Sequence, residues 1–167
     1  MVRCGSLLHF GTKQHFSLWE IILLATTITS PKTVAIIESP RPTVTKATDV
    51  VLLITTVSIS SMDMGIYLSG HSLVIPGHEF SGVVVEIGDE VSSFNLDDLV
   101  VSRSCSKTGL RFGDNPLHGA QAEYVLVPDA DYSLVHTNPV DEERSLLAGG
   151  RLGLGIQAAE YILSTKI

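Results

Sequence analysis

The chain has 167 residues, 44% of them hydrophobic and 17% charged, enough length and apolar content to bury a core and too much for a disordered segment. Its 11 Lys and Arg against 18 Asp and Glu leave a net charge of −7, and no basic cluster breaks that balance, so no nucleic-acid partner is expected. Cys4 and Cys105 permit neither a disulfide framework nor a CxxC zinc pair, which makes a reducing compartment, the cytoplasm, the expected location.

Along the chain, "SLWEIILLATTIT" (Ser17 to Thr29) is apolar but short, and Glu20 interrupts it. It spans no bilayer and makes a poor signal peptide, so no membrane partner is expected and the segment reads as a helix or strand packed on a core. "SPK" (Ser30 to Lys32) punctuates its end and "ESPRPT" (Glu38 to Thr43) is a second breaker. Residues 1–32 differ in texture from the rest and form a divergent N-terminal segment.

Strand signals follow. "DVVLLITTVSIS" (Asp49 to Ser60), "GVVVEIG" (Gly82 to Gly88), "LVVSR" (Leu99 to Arg103) and "AEYVLVP" (Ala122 to Pro128) are dense in β-branched residues and bounded by turn residues. Their spacing suggests a β-barrel or sandwich. Two helices are predicted after them. "NPVDEERSLLAGG" has Asn138 as cap, Pro139 at the first helical position and Gly149 as stop. "GIQAAEYILSTK" (Gly155 to Lys166) sets Ile156, Ala159, Ile162 and Leu163 on one face.

"GLGIQA" (Gly153 to Ala158) matches a G-x-G-x-x-A fingerprint, but a helix and a glycine pair precede it where a strand is required. It reads as a tightly packed helix start and not as a nucleotide site. "IPGHEFSGVVVEIGDEV" (Ile75 to Val91) carries more. An imidazole, His78, and a carboxylate, Glu79, stand side by side at the mouth of a buried strand, which is the chemistry of a metal site.

Together with "DDLVV", the stretch from Val34 through "SSMDMGIYLSG", and "GAQAEYVLVPDADYSLVHTNP", this segment resembles the zinc-containing medium-chain alcohol dehydrogenases. The likeness is to their N-terminal GroES-like catalytic domain and covers roughly residues 34–159; within the family it is greatest to the glutathione-dependent formaldehyde dehydrogenase type and related zinc alcohol dehydrogenases. The resemblance implies a mainly β fold with peripheral helices, a GroES-like partly open β-barrel. It also implies zinc- and NAD-dependent interconversion of a small-molecule alcohol and an aldehyde. His78 takes the place of a zinc ligand, with Glu79 in or near the metal shell and Asp63 and Glu79 as the catalytic carboxylates.

Set against the family pattern, this chain departs at the ligands. Ser60 stands where a cysteine thiolate is expected, Met62 where a hydroxyl relays the alcohol proton, and Gly65 where a histidine extends that relay. The third zinc ligand falls near Gly150. A serine hydroxyl stays protonated at neutral pH and is a poor zinc ligand. Of the four cysteines of a structural-zinc lobe only Cys105 remains, a lone thiol on a shortened loop, while His71, His118 and His136 fall in loops with solvated or capping roles.

The metal site of His78 and Glu79 therefore reads as vestigial, and zinc is not expected to be held. The cofactor (Rossmann) domain that carries NAD in the family is expected to be absent. The organisation expected is a divergent segment over 1–32, a GroES-like catalytic domain over 33–148 and a truncated linker helix over 149–167. The functional expectation is an alcohol dehydrogenase-like oxidoreductase domain, truncated and catalytically impaired. The alternative is a non-catalytic, metal-free binding module that associates with full-length relatives.

Overall fold

The computed structural model describes residues 22–70, 75–148, 159 and 162–164. Among the described residues seven strands sort into two sheets. β1 (Ile22–Ser30) pairs with β2 (Thr33–Pro40) in a two-stranded sheet. β3 (Val50–Val57), β4 (Phe80–Ile87), β5 (Leu99–Ser102), β6 (Tyr124–Val127) and β7 (Leu134–His136) form a five-stranded sheet in the order β6-β3-β4-β5-β7. All four predicted strands are present.

β3 is flanked on both sides, and Val50, Val51 and Leu52 are all buried, as a β-branched run between two neighbours should be. Its register with β4 sets Leu53 against Val83 and Val57 against Phe80, with a shift between Ile54 and Thr56. The main core gathers Val50, Leu52, Phe80, Val84, Val100, Phe112, Val125 and Val127. Phe80 and Phe112 meet edge to face with centroids 4.9 Å apart. Burying each of these large apolar side chains stabilises the fold by about 1.5–3 kcal/mol before entropy is counted.

The β1–β2 hairpin has a small core of its own. Leu23 and Ala25 bury against Ile75, with Ile37, Ala122 and Tyr124 packed around them. The Thr26 N–H donates to the Gln121 carbonyl at 2.8 Å, and the Thr26 hydroxyl donates to Gln121 Oε1 at 3.0 Å, which fastens the hairpin to the segment leading into β6. The apolar end of "SLWEIILLATTIT" is thus a strand on a core. The two sheets stay open and do not close into a barrel, in keeping with the mainly β, partly open architecture that the resemblance implies.

Helices are few and short. α1 (Ser61–Ser69) lies within "SSMDMGIYLSG", where no helix is predicted from the sequence. Its helix is set by its ends: Ser60 is the N-cap, Asp63 completes a capping box, and Gly70 ends it in the left-handed region. α2 (Ala130–Ser133) is a single turn before β7. α3 (Glu142–Leu147) starts later than the expected Pro139. The Asn138 side chain accepts from the N–H groups of Val140 and Asp141, both at 3.0 Å, so it closes a turn in competition with the helix.

The predicted stop at Gly149 and the motif "GLGIQA" lie outside the described residues, as does most of the helix predicted over 155–166, of which Ala159 and Ile162–Ser164 are helical. Among the described residues no helix is long and apolar enough to cross a membrane.

Candidate functional site

The segment Pro76 to Glu79 runs into β4 and is buried throughout. Its backbone is held by close approach of other chain segments. Gly77 has φ +100, and a Cβ there would lie 2.8 Å from the Gln121 nitrogen; a Cβ on Gly119 would lie 2.4 Å from the Gly77 carbonyl oxygen. Only glycine fits either position. The Gly77 carbonyl accepts from the Ala120 N–H at 2.9 Å, so this cradle is bonded as well as packed.

Three ionisable side chains bury beside it: Asp63, His78 and Glu79, with 5%, 7% and 9% of their surfaces exposed. Buried polar groups persist where hydrogen bonds satisfy them. Asp63 Oδ2 accepts the Ser60 N–H at 2.7 Å and Oδ1 accepts the Gly77 N–H at 2.9 Å. Asp63 thereby stitches the start of α1 to the cradle. Glu79 Oε2 accepts the Ser58 hydroxyl at 2.8 Å, and the Glu79 carbonyl accepts the Ser58 N–H at 2.9 Å. The His78 carbonyl accepts the Ser102 hydroxyl at 3.2 Å.

Around the His78 ring the neighbours divide. Ser60 Oγ lies 3.4 Å and Asp63 Oδ2 3.9 Å from Nδ1, whereas Glu79 Oε1 lies 3.7 Å from Nε2. The two ring nitrogens face opposite ways, so an ion bound at either meets only part of the set. Ser60 Oγ also accepts the Met62 N–H at 3.0 Å as the cap of α1. An ion on the Nδ1 side would meet a protonated hydroxyl and a carboxylate already holding two N–H groups. Among the described residues no three His, Cys, Asp or Glu side chains converge on one point.

A catalytic zinc requires three protein ligands and an open position. The described residues do not fit it.

The remaining positions singled out in the sequence are accounted for locally. Met62, at the relay position, accepts an Arg111 guanidinium N–H at its sulfur at 3.3 Å. Gly65 faces open space. His118 Nδ1 accepts the Ile75 N–H at 3.2 Å, a capping role. His136 Nε2 lies 2.8 Å from the Ser93 carbonyl, with its ring tilted on Phe94. Cys105 is half-buried and bridges Arg111 across the shortened loop. Gly150 and His71 lie outside the described residues.

Sequence reasoning missed Ser58 and Ser102, whose hydroxyls orient Glu79 and the backbone of His78. It also missed Glu142. Glu142 Oε1 accepts the hydroxyls of Thr55, of Thr56 at 3.0 Å and of Ser81 at 2.6 Å. Successive residues of a regular strand point to opposite faces, yet Thr55 and Thr56 reach the same oxygen. The register shift between Ile54 and Thr56 is a bulge that makes this reach available. Burial pushes the Glu142 carboxyl up, but the Ser81, Thr55 and Thr56 hydroxyls together outweigh it and hold the group below its ordinary value.

Comparison with known proteins agrees with this architecture. Residues 46–138, more than half of the chain, match the alcohol dehydrogenase GroES-like domain family. Zinc-type alcohol dehydrogenase B of Aspergillus flavus is 33% identical over 80% of this chain and 37% of its own length. A medium chain reductase/dehydrogenase of Acremonium sp. is 36% identical over 65% of this chain and 44% of its own length. The solved alcohol dehydrogenase of Thermus sp. ATN1 superposes with a TM-score of 0.69 at 25% identity, covering 75% of this chain and 43% of that one.

The chain therefore spans less than half the length of these relatives, whose shared part is the domain containing the Asp63, His78 and Glu79 cluster. It belongs to the alcohol dehydrogenase GroES-like domain family, within the medium-chain dehydrogenases.

Proposed function

We propose that this chain is the substrate-side domain of an alcohol dehydrogenase-type oxidoreductase whose metal centre is vestigial, so that it supports no zinc-dependent turnover. The split of donors around His78 carries the reading: Ser60 and Asp63 lie toward Nδ1 and Glu79 toward Nε2. In this reading His78 and Glu79 are the remnant of the metal shell. Asp63 and Glu79 are the catalytic carboxylates of the ancestral site, now employed in holding backbone N–H groups and a serine hydroxyl. Residues 1–32 are a divergent segment, 33–148 the GroES-like domain and 149–167 a linker helix toward a dinucleotide-binding unit.

NAD would be the hydride acceptor and an alcohol or aldehyde the substrate of the complete machinery, in the cytoplasm. NAD supplies hydride chemistry when bound. What this chain contributes is the shape of the substrate-side wall and the buried hydroxyl–imidazole–carboxylate cluster. Neither abstracts a proton from an alcohol that no metal has polarised.

A second reading, a metal-free binding module that associates with full-length relatives, is favoured by the exposed apolar side chains of Val140, Leu147 and Leu163. Metal analysis of protein purified in excess zinc, with NADH formation assayed on alcohols, tests the first reading. The expected result is zinc well below one per chain and no turnover. One tightly held zinc per chain would overturn it. Co-sedimentation with a full-length relative supports the second reading, and its absence removes it.

A further inference from the structure

The split of donors that denies His78 a metal is the arrangement a serine nucleophile uses. A hydroxyl, an imidazole and a carboxylate cooperate in acyl transfer when the hydroxyl meets one ring nitrogen and the carboxylate meets the other. Here Ser60 Oγ lies 3.4 Å from Nδ1, and Glu79 Oε1 lies 3.7 Å from Nε2. The two nitrogens are exchanged relative to the serine proteases, but the path from hydroxyl through ring to carboxylate is the same. Contacts of this kind are commonly loose until a substrate binds.

Each member is held for its part. The other Glu79 oxygen accepts the Ser58 hydroxyl, so the carboxylate stays beside Nε2 and favours a proton there. That tautomer leaves the Nδ1 lone pair toward Ser60. His78 and Glu79 are buried, whereas Ser60 is half-buried between exposed Ile59 and exposed Ser61, so the hydroxyl is the member that reaches solvent. Ser60 Oγ accepts the Met62 N–H at 3.0 Å, and its own O–H remains to donate to Nδ1. The Ser61 N–H, next along the chain, has no acceptor among the described residues. An N–H directly after a nucleophile is where an acyl oxyanion is received.

We propose that Ser60, His78 and Glu79 form a metal-independent acyl-transfer site that hydrolyses small carboxylic esters. Ser60 Oγ bonds to the ester carbonyl carbon as its proton passes to Nδ1. The bond from that carbon to the alkoxy oxygen then breaks, and the alcohol leaves with the proton from Nδ1. Water, deprotonated by the same nitrogen, attacks the acyl-serine; the carboxylic acid departs and the proton returns to Ser60. Asp63 Oδ2, 3.9 Å from Nδ1, faces the ring on the side that gains the proton.

An alcohol awaiting hydride loss gains nothing from this base. A serine does, because its proton leaves only as the new bond to carbon forms. Exposed Ile59, and exposed Met64 one helical turn beyond Ser60, suit a short apolar acyl group. The proposal rests on the metal-free reading, since an ion at Nδ1 would take the base.

The full chain, kept in chelator, is assayed on p-nitrophenyl acetate and treated separately with a fluorophosphonate, the adduct being located by mass spectrometry. Saturable nitrophenolate release and a single adduct on Ser60 are expected. Ser60→Asn keeps a capping side chain on α1 and should lose both. His78→Gln should slow hydrolysis about a hundredfold. Glu79 acts through His78 as a positioning residue, and Glu79→Gln should lower kcat about tenfold with KM unchanged.

Circular dichroism identifies any variant that fails to fold, and the position of the adduct on the unaltered chain then carries the test. A folded chain that neither hydrolyses the ester nor takes the label overturns the proposal. So does an adduct on another residue, hydrolysis that survives in Ser60→Asn, or an unchanged kcat in Glu79→Gln. Zinc is measured on the same preparation before chelation, so one zinc per chain sinks the metal-free reading while the chelated assays decide the triad by themselves.

Discussion

Two glutamates accept hydroxyl hydrogen bonds from neighbouring stretches of the same chain, and they end in opposite situations. At Glu142 three hydroxyls, from Thr55, Thr56 and Ser81, converge on one carboxylate oxygen. At Glu79 one hydroxyl, from Ser58, holds one oxygen, and the other faces an imidazole nitrogen across 3.7 Å. The first cluster is closed: every donor has its acceptor, and the group fastens α3 to the sheet. The second is divided, with oxygens of Ser60 and Asp63 toward one ring nitrogen of His78 and of Glu79 toward the other.

Convergence, more than the presence of ligand-type residues, separates a working centre from a buried polar cluster. Asp63 completes the contrast, because its two oxygens are committed to backbone N–H groups.

Asp63→Ala should break the divided cluster most severely. It leaves the Ser60 and Gly77 N–H groups without their acceptor, at a cost of about 3 kcal/mol in denaturant unfolding. Glu142→Ala should cost about 2 kcal/mol by the same measurement, since three hydroxyls lose one partly exposed acceptor.

Glu142 also sharpens the comparison through pH. Its folded-state carboxyl is held below the ordinary value, so its contribution is present above the unfolded-state value, about 4.3, and is lost as pH falls through the folded value. Glu142→Gln should flatten that acid limb of the stability profile; a limb unchanged by the substitution would show that the tether does not titrate.

Ser58→Ala should cost about 1 kcal/mol, less than either carboxylate, because it removes one donor from Glu79 and leaves the backbone bond between these residues intact. The smallest effect is expected from Ser60→Cys. A thiolate restored at this position still faces Nδ1 while Glu79 faces Nε2, so zinc stoichiometry should stay below one and no NAD-dependent turnover should appear. Recovered turnover from this single change would refute the idea that direction, rather than ligand identity alone, has been lost.

Much of this architecture is legible in the residues. The four runs of Val, Leu and Ile between Asp49 and Pro128 mark the five-stranded sheet because burial on a pleated surface selects β-branched side chains. The Gly-His-Glu triplet before β4 marks the site by residue type.

What stayed hidden is long-range or directional. α1 buries only Asp63, so no apolar stripe announces a helix; its capping residues decide it. A serine such as Ser58 or Ser102 has no spacing signature. Glu142 finds Thr55 across 87 residues of chain, a meeting that depends on a bulge in β3. Above all, the side of the imidazole on which each oxygen falls is a matter of three-dimensional direction, and no one-dimensional pattern records it.

The glycine cradle behind His78 has a consequence for any attempt to rebuild this centre. Backbone meets backbone there: the Gly119 position sits against the Gly77 carbonyl, with no side chain between them. Such a contact has no side chain to vary, so the segment that aims His78 is fixed by main-chain geometry and by the Asp63 carboxylate that holds the Gly77 N–H. The Ser60 side chain can therefore be exchanged while the imidazole keeps its heading, whereas Asp63, bonded to the cradle through the Gly77 N–H, cannot.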